Sequence, residues 1–356
     1  MSSCTSFIQE LALKLFLKYV TFDTEADPSS LTHPSSDGQT VLAKEIMSDL
    51  EQHGYKDHLF LSDTSILYVD VPSTSPTFTT GLSFLAHLDT SPESSGTDVK
   101  PIIHENYDGS PISFPDDPSL ILSAEHDPDL LSYIGRSIIT ASGTTLLGAD
   151  DKAGVAVLVA TLIALKKFKI SHGPLSFAFT CDEGNCRLFP FAFTIDGSAE
   201  GSLENSCFDA WGCKIDFHGH VTHPGNGKNK MVNAVLHASQ FIAQVMSTIN
   251  GPEDSSGNEG FCYVTRVDGT CESARVELIL RDFDEEMNNS NILGIKKLTE
   301  FYQTQFKGLT IDMSCTHQYS NMSRFFNNHQ QFIDIAKRAI TSSGLQLKHE
   351  AIRGGN

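Results

Sequence analysis

TTLLGADDKAGVAVLVATLIALKK, residues 144–167, decides the architecture of this chain. From 153 to 167 it reads as a helix, apolar nearly all round through Val155, Val157, Leu158, Val159, Leu162, Ile163 and Leu165. Short apolar runs surround it at 66–71, 82–88, 138–140, 175–180 and 191–195, the pattern of strands covered on both faces. Strands alternating with helices predict an α/β layer with a mostly parallel sheet. Two helices come earlier. Residues 1–20 carry an apolar stripe at Phe7, Leu11 and Leu15, with Ser6 and Gln9 as a capping box. Residues 41–52 repeat helical spacing at Leu42, Ile46 and Leu50, with Gly54 where a C-cap glycine sits.

The composition changes near Glu204. Ile215 and Phe217 alternate at period two, a helix is expected over 231–249, and Ala274, Val276, Leu278 and Leu280 alternate along a strand at 273–281. With strands at 261–267 and 309–313 and a helix at 291–306, the order is strand, helix, two strands, helix, strand. That is a ferredoxin-like α+β domain. Helical patterning resumes at 330–340, so the domain reads as an insertion. The expected division is a catalytic domain at 1–205, the inserted domain at 206–318 and a return to the catalytic domain at 319–356.

The chain has 356 residues, with 40% hydrophobic and 19% charged, a globular composition large enough for two domains. Its formal charge of -19 and the lack of a basic stripe exclude nucleic acid as an expected partner. No run reaches the ~18 apolar residues of a membrane span, so no membrane partner is expected. Glu10, Lys14 and Lys18 interrupt the first apolar stretch and no basic region precedes it, which favours a helix over a targeting segment. Eight cysteines (Cys4, Cys181, Cys186, Cys207, Cys213, Cys262, Cys271 and Cys315) form no CxxC pair. They are expected to be reduced, in a cytoplasmic protein.

Four polar clusters follow the apolar runs or sit at a strand-to-helix turn: His87-Leu88-Asp89, Asp150-Asp151, Asp182-Glu183 and Asp196-Gly197. Singly, each has an ordinary explanation: a half-buried histidine, a helix N-cap or a turn residue. In an open parallel sheet, however, strand carboxyl ends converge on one crevice. One imidazole among several carboxylates is a ligand set for zinc or a related divalent ion.

The stretches FLAHLDTSP (84–92), TTLLGADDKAG (144–154), FTCDEG (179–184), FTIDG (193–197), VTHPGNGKNKMVNA (221–234), LILRDFD (278–284), HQYSNM (317–322) and AIRGG (351–355) resemble the peptidase T family, tripeptide aminopeptidases among the zinc exopeptidases. They occur in the family's order along essentially the whole chain. The resemblance implies a zinc-exopeptidase catalytic domain carrying an inserted dimerisation domain, acting on short peptides as a homodimer. It implies that His87, Asp150 and Asp196 are metal ligands, with Asp150 bridging two zinc ions, and that Asp89 orients His87. Glu183 would be the general base. His223 would reach a partner's site to stabilise the oxyanion, while Arg281 and Arg353 would bind the peptide carboxylate.

Two departures alter that expectation. Gly184 stands where the family carries a second glutamate, a ligand of the second zinc. The family's last histidine ligand follows the stretch at which this sequence ends. The expectation is therefore at most one tightly bound zinc. An aminopeptidase with impaired catalysis and an inactive relative retaining dimerisation and peptide binding both remain open from the sequence.

Overall fold

The computed structural model describes residues 3–182, 188–189, 191–197 and 199–354. Two compact units divide the chain, Met1–Asp196 and Gly197–Asn356.

The first unit opens with α1 (Ser3–Tyr19) and α2 (Asp37–Gln52). Helix α1 begins before Ser6, so the expected capping box at Ser6 lies inside the helix. Gly54 follows α2 at φ +82°, the left-handed conformation that a residue just past a helix end adopts. The main sheet joins β1 (Leu59–Leu61), β2 (Leu67–Val71), β3 (Leu82–His87), β8 (Leu175–Thr180) and β9 (Ala192–Thr194). Its order is β1-β2-β8-β3-β9. The β8-β3-β9 part is parallel, and β2 and β1 continue it antiparallel at one edge.

All six residues of β8 are buried, as a strand covered on both faces requires. Against β3 lies α3 (Ala149–Lys167). It starts four residues before the apolar helix expected at 153, but Asp150 and Asp151 have non-helical dihedrals and a cis peptide joins them. Leu42, Ile46, Leu50, Val155, Val159, Leu162, Phe177 and Phe179 form the shared core. The run at 138–140 is a strand, though not of the main sheet. It is β7 (Ile138–Thr140), paired with β4 (Ile102–His104), while β5 (Ile112–Ser113) pairs with β6 (Ile121–Leu122).

The second unit contains β10 (Ser202–Cys207), β11 (Asp209–His218), α4 (Ala234–Met246), β12 (Phe261–Gly269), β13 (Ser273–Asp282), α5 (Glu285–Gln305), β14 (Thr310–Tyr319), α6 (Gln330–Ser342) and β15 (Lys348–Ile352). Strands β12-β13-β11-β14 form an antiparallel sheet, packed with α4 and α5 around Ile215, Phe217, Phe241, Val276 and Leu280. This is the ferredoxin-like strand order expected from the sequence. Helix α5 starts earlier than the expected 291 because Asp284 caps it, its carboxylate accepting from the Glu286 amide at 2.9 Å. The returning strand β15 pairs in parallel with β10, the stretch just ahead of the inserted domain.

One cysteine expectation is corrected here. Cys213 and Cys315 are register partners on β11 and β14 with Cα atoms 4.2 Å apart, and their sulfurs are bonded. Cys4, Cys181, Cys207, Cys262 and Cys271 are free thiols; Cys186 lies outside the described residues. Among the described residues, no helix is long and apolar enough to cross a membrane.

Candidate metal centre

The sheet brings the first-unit candidates to one end. His87 is the last residue of β3, where Leu88 donates its amide to the Thr180 carbonyl of β8. Asp196 lies two residues beyond β9, and the Ile195 amide still bonds to the Leu85 carbonyl. Asp150 and Asp151 occupy the irregular start of α3. Gly154 allows that first turn to approach so closely, because a β-carbon there would collide with the Ile195 carbonyl and the Asp151 carboxylate.

His87 is at the centre. Its Nε2 is 2.8 Å from Asp150 Oδ1 and 3.9 Å from Asp196 Oδ2, while Nδ1 is 3.4 Å from Asp89 Oδ1. The His87 and Asp89 side chains are nearly buried, Asp196 is half-exposed and Asp150 is 82% exposed. Ligand atoms of His87, Asp151 and Asp196 lie within 4.8 Å of one another. Asp151 nevertheless has both carboxylate oxygens engaged, one by the His87 amide at 3.1 Å and the other by the Gly154 amide at 3.2 Å. It fastens the end of β3 to the start of α3, and leaves Asp150 as the open carboxylate at Nε2.

Burial, and then the charge of Asp196, push the Asp151 carboxyl up to about 8, against the opposing pull of His87 and the two amides. Burial also raises Asp196, with Asp150 adding to the rise and His87 opposing it. Negative charge crowded around one oriented imidazole is an arrangement that a divalent cation satisfies, and these donors fit one.

Asp182 is placed differently. Its carboxylate accepts from His33 Nδ1 at 2.8 Å, the Ser35 amide at 2.8 Å, the Ser35 hydroxyl and Gln39 Nε2 at 2.7 Å. Burial alone would raise its pKa, but the bonds from Gln39 and Ser35 hold it below the usual carboxylate range. Sequence reading missed this engagement, because the signal is spread over three residues some 140 positions away. Glu183 and Gly184 lie outside the described residues.

In the second unit, His223 is exposed and its Nδ1 accepts from the Gly225 amide at 3.2 Å. Arg281 donates from Nη1 to the carbonyls of Trp211 and Leu280, with its guanidinium over the Tyr319 ring. Arg353 donates from Nη1 to the carbonyls of Gly257 and Glu259, and from Nη2 to the carbonyl and hydroxyl of Ser255.

The peptidase dimerisation domain family matches residues 206–308. The aminopeptidase PepT from Bacillus cereus superposes with a TM-score of 0.73 at 20% identity, over 98% of this chain and 86% of that one. A dinuclear metal-binding M20 peptidase of Bacillus subtilis superposes at 0.57 with 13% identity, over 99% of this chain and 84% of that one. The fold is that of these two peptidases. Peptidase T of Clostridium novyi is 35% identical over 97% of this chain and 87% of its own length. The chain belongs to the peptidase T family and is a hydrolytic aminopeptidase.

Proposed function

We propose that the chain releases the N-terminal residue of tripeptides, using water activated at the His87 centre. The observation that carries this reading is the meeting of His87, Asp150 and Asp196 at one sheet end in a peptidase T family member. Zn2+ held by these three would lower the pKa of water and polarise the scissile carbonyl. Asp89, 3.4 Å from Nδ1, keeps the His87 proton there and presents the Nε2 lone pair. Asp89→Asn is expected to weaken zinc affinity about 10–100-fold by calorimetric titration, with the circular dichroism spectrum unchanged.

Glu183 is the general base, taking a proton from water and delivering it to the leaving amine. Because His223 Nδ1 accepts the Gly225 amide, its neutral ring carries the proton on Nε2 and can donate to an oxyanion. His223 serves the site of a second copy, so the working form is a homodimer. Arg281 offers a guanidinium to the peptide carboxylate. The engagement of both Arg353 terminal nitrogens suits that residue to holding the 255–259 loop. The working division is catalytic segments 1–205 and 319–356 around a dimerisation domain at 206–318, in a cytoplasmic enzyme. A second reading, an inactive relative that binds peptides as a dimer, is favoured by Gly184 at the family's second glutamate.

Both readings are tested on one gel-filtered fraction, by elemental analysis and by hydrolysis of free and amine-blocked tripeptides. One zinc per chain with cleavage of the free peptides is expected. Two zincs per chain would overturn the single-site reading. No cleavage with zinc, cobalt or manganese would favour the inactive relative.

A further inference from the structure

We propose that Cys213 and Cys315 are a reversible thiol–disulfide couple, a redox modification site whose reaction partner is a small thiol of the glutathione class. The two residues are opposed in the β11-β14 register with Cα atoms 4.2 Å apart, close to the ~4.5 Å of an antiparallel pair that its own backbone bonds do not join. The ladder continues on either side, Gly212 opposite Thr316 and Lys214 opposite Ser314, so backbone pairing brings the sulfurs together without their bond. Both side chains also pack in the core of the second unit. The reduced pair therefore keeps its place as two small apolar residues.

Access separates this bond from a permanent staple. Strand β14 ends the order β12-β13-β11-β14, so it has a strand neighbour on one side only. Cys315 on that strand is half-buried, whereas Cys213 is 2% exposed. An incoming thiolate attacks the Cys315 sulfur, forms a mixed disulfide there and expels the Cys213 thiolate, which takes a proton. A second thiol attacks the sulfur that the first delivered, leaving the Cys315 thiol and a small-molecule disulfide. Two electrons and two protons have then entered the protein. Cys262, the free thiol of the same core, does not divert the exchange: it is fully buried, and burial pushes it up to about 12. The bond between 213 and 315 closes a loop that holds α4, β12, β13 and α5, most of the segment matched to the peptidase dimerisation domain. Closing that loop removes freedom from the unfolded chain, so the oxidised domain is the more stable one.

The test equilibrates the full chain in buffers of graded glutathione to glutathione disulfide ratio, quenches in acid, then unfolds and alkylates it and measures the mass of each cysteine peptide. The Cys213 and Cys315 peptides should gain label together in one transition as reduced glutathione rises, while those of buried Cys181 and Cys262 carry label throughout. A bond that survives excess glutathione in the folded chain would overturn reversibility, and label on both cysteines in glutathione disulfide would overturn the pairing. The thermal midpoint of the second unit should fall by about 10 °C from oxidised to reduced buffer, with the circular dichroism spectrum at room temperature unchanged. Cys315→Ser should show the reduced-buffer midpoint in both buffers, and the wild-type measurements decide the matter if that variant does not fold. Equal wild-type midpoints in the two buffers would overturn the link to stability, and loss of the β-sheet spectrum on reduction would overturn the retained fold.

Discussion

His87→Ala is expected to lower kcat/KM on tripeptides by about 10³-fold or more, since a Lewis-acid centre supplies several kcal/mol of transition-state stabilisation. Every close contact at the centre converges on this ring: Asp150 and Asp196 at Nε2, Asp89 at Nδ1. Among the described residues, buried Asp151 is not free to replace its nitrogen, because two amides occupy its oxygens. The amide that Asp151 accepts belongs to the His87 backbone, so the tie between β3 and α3 survives the substitution. Activity and zinc binding should therefore be lost together while thermal unfolding moves little. Zinc bound at wild-type affinity in H87A would show that another residue supplies the first ligand.

Phe177→Ala is expected to cost about 3–5 kcal/mol of unfolding free energy, the range for truncating a buried aromatic. Phe177 is 1% exposed in the middle of β8, and its ring stacks on Phe84 of β3 with centroids 5.2 Å apart. The cavity would open at the parallel β3-β8 pairing, between strands whose ends carry His87 and Asp182. Urea titration of the first unit's transition measures the loss. Phe60→Ala on β1 is the control, since that ring is 63% exposed and its removal should change stability by no more than about 0.5 kcal/mol. A loss below about 1 kcal/mol for F177A would mean that neighbouring side chains close the gap.

Much of this was legible from periodicity. The strands at 67–71, 82–87 and 175–180 and the ferredoxin-like order of the second unit followed from apolar spacing, because burial on one or two faces leaves that imprint. Sheet membership did not follow: 138–140 has the same apolar look as 175–180, yet pairs with β4 outside the main sheet. Nor did the bond between Cys213 and Cys315, which depends on the β11-β14 register across about 100 residues. At the site, position after apolar runs or at a strand-to-helix turn picked out the clusters at 87–89, 150–151, 182–183 and 196–197, and the resemblance singled out His87, Asp89, Asp150 and Asp196 within them. Residue type and position alone did not separate the tasks of Asp150 and Asp151, because adjacent identical residues differ only in which amides their oxygens meet; the resemblance named Asp150 as the ligand. Asp182 was grouped with Glu183 as a polar cluster after a strand, and its partners on the 33–39 stretch, which engage its carboxylate, were not foreseen.

The parallel ladder between β10 and β15 joins residues separated by about 140 positions. During synthesis the four-stranded sheet of β11 to β14 can close while its helices are being made, because every pairing it needs lies between Asp209 and Tyr319. Strand β10 has to wait for residue 348, which at ribosomal rates is roughly 10–30 s. For the last roughly 1.5–6 s of that interval, while the ~30 residues after Tyr319 are made, a nascent chain carries a finished sheet beside a strand still lacking its mate. That gives chaperones and proteases a defined period in which the unpaired edge is open to them.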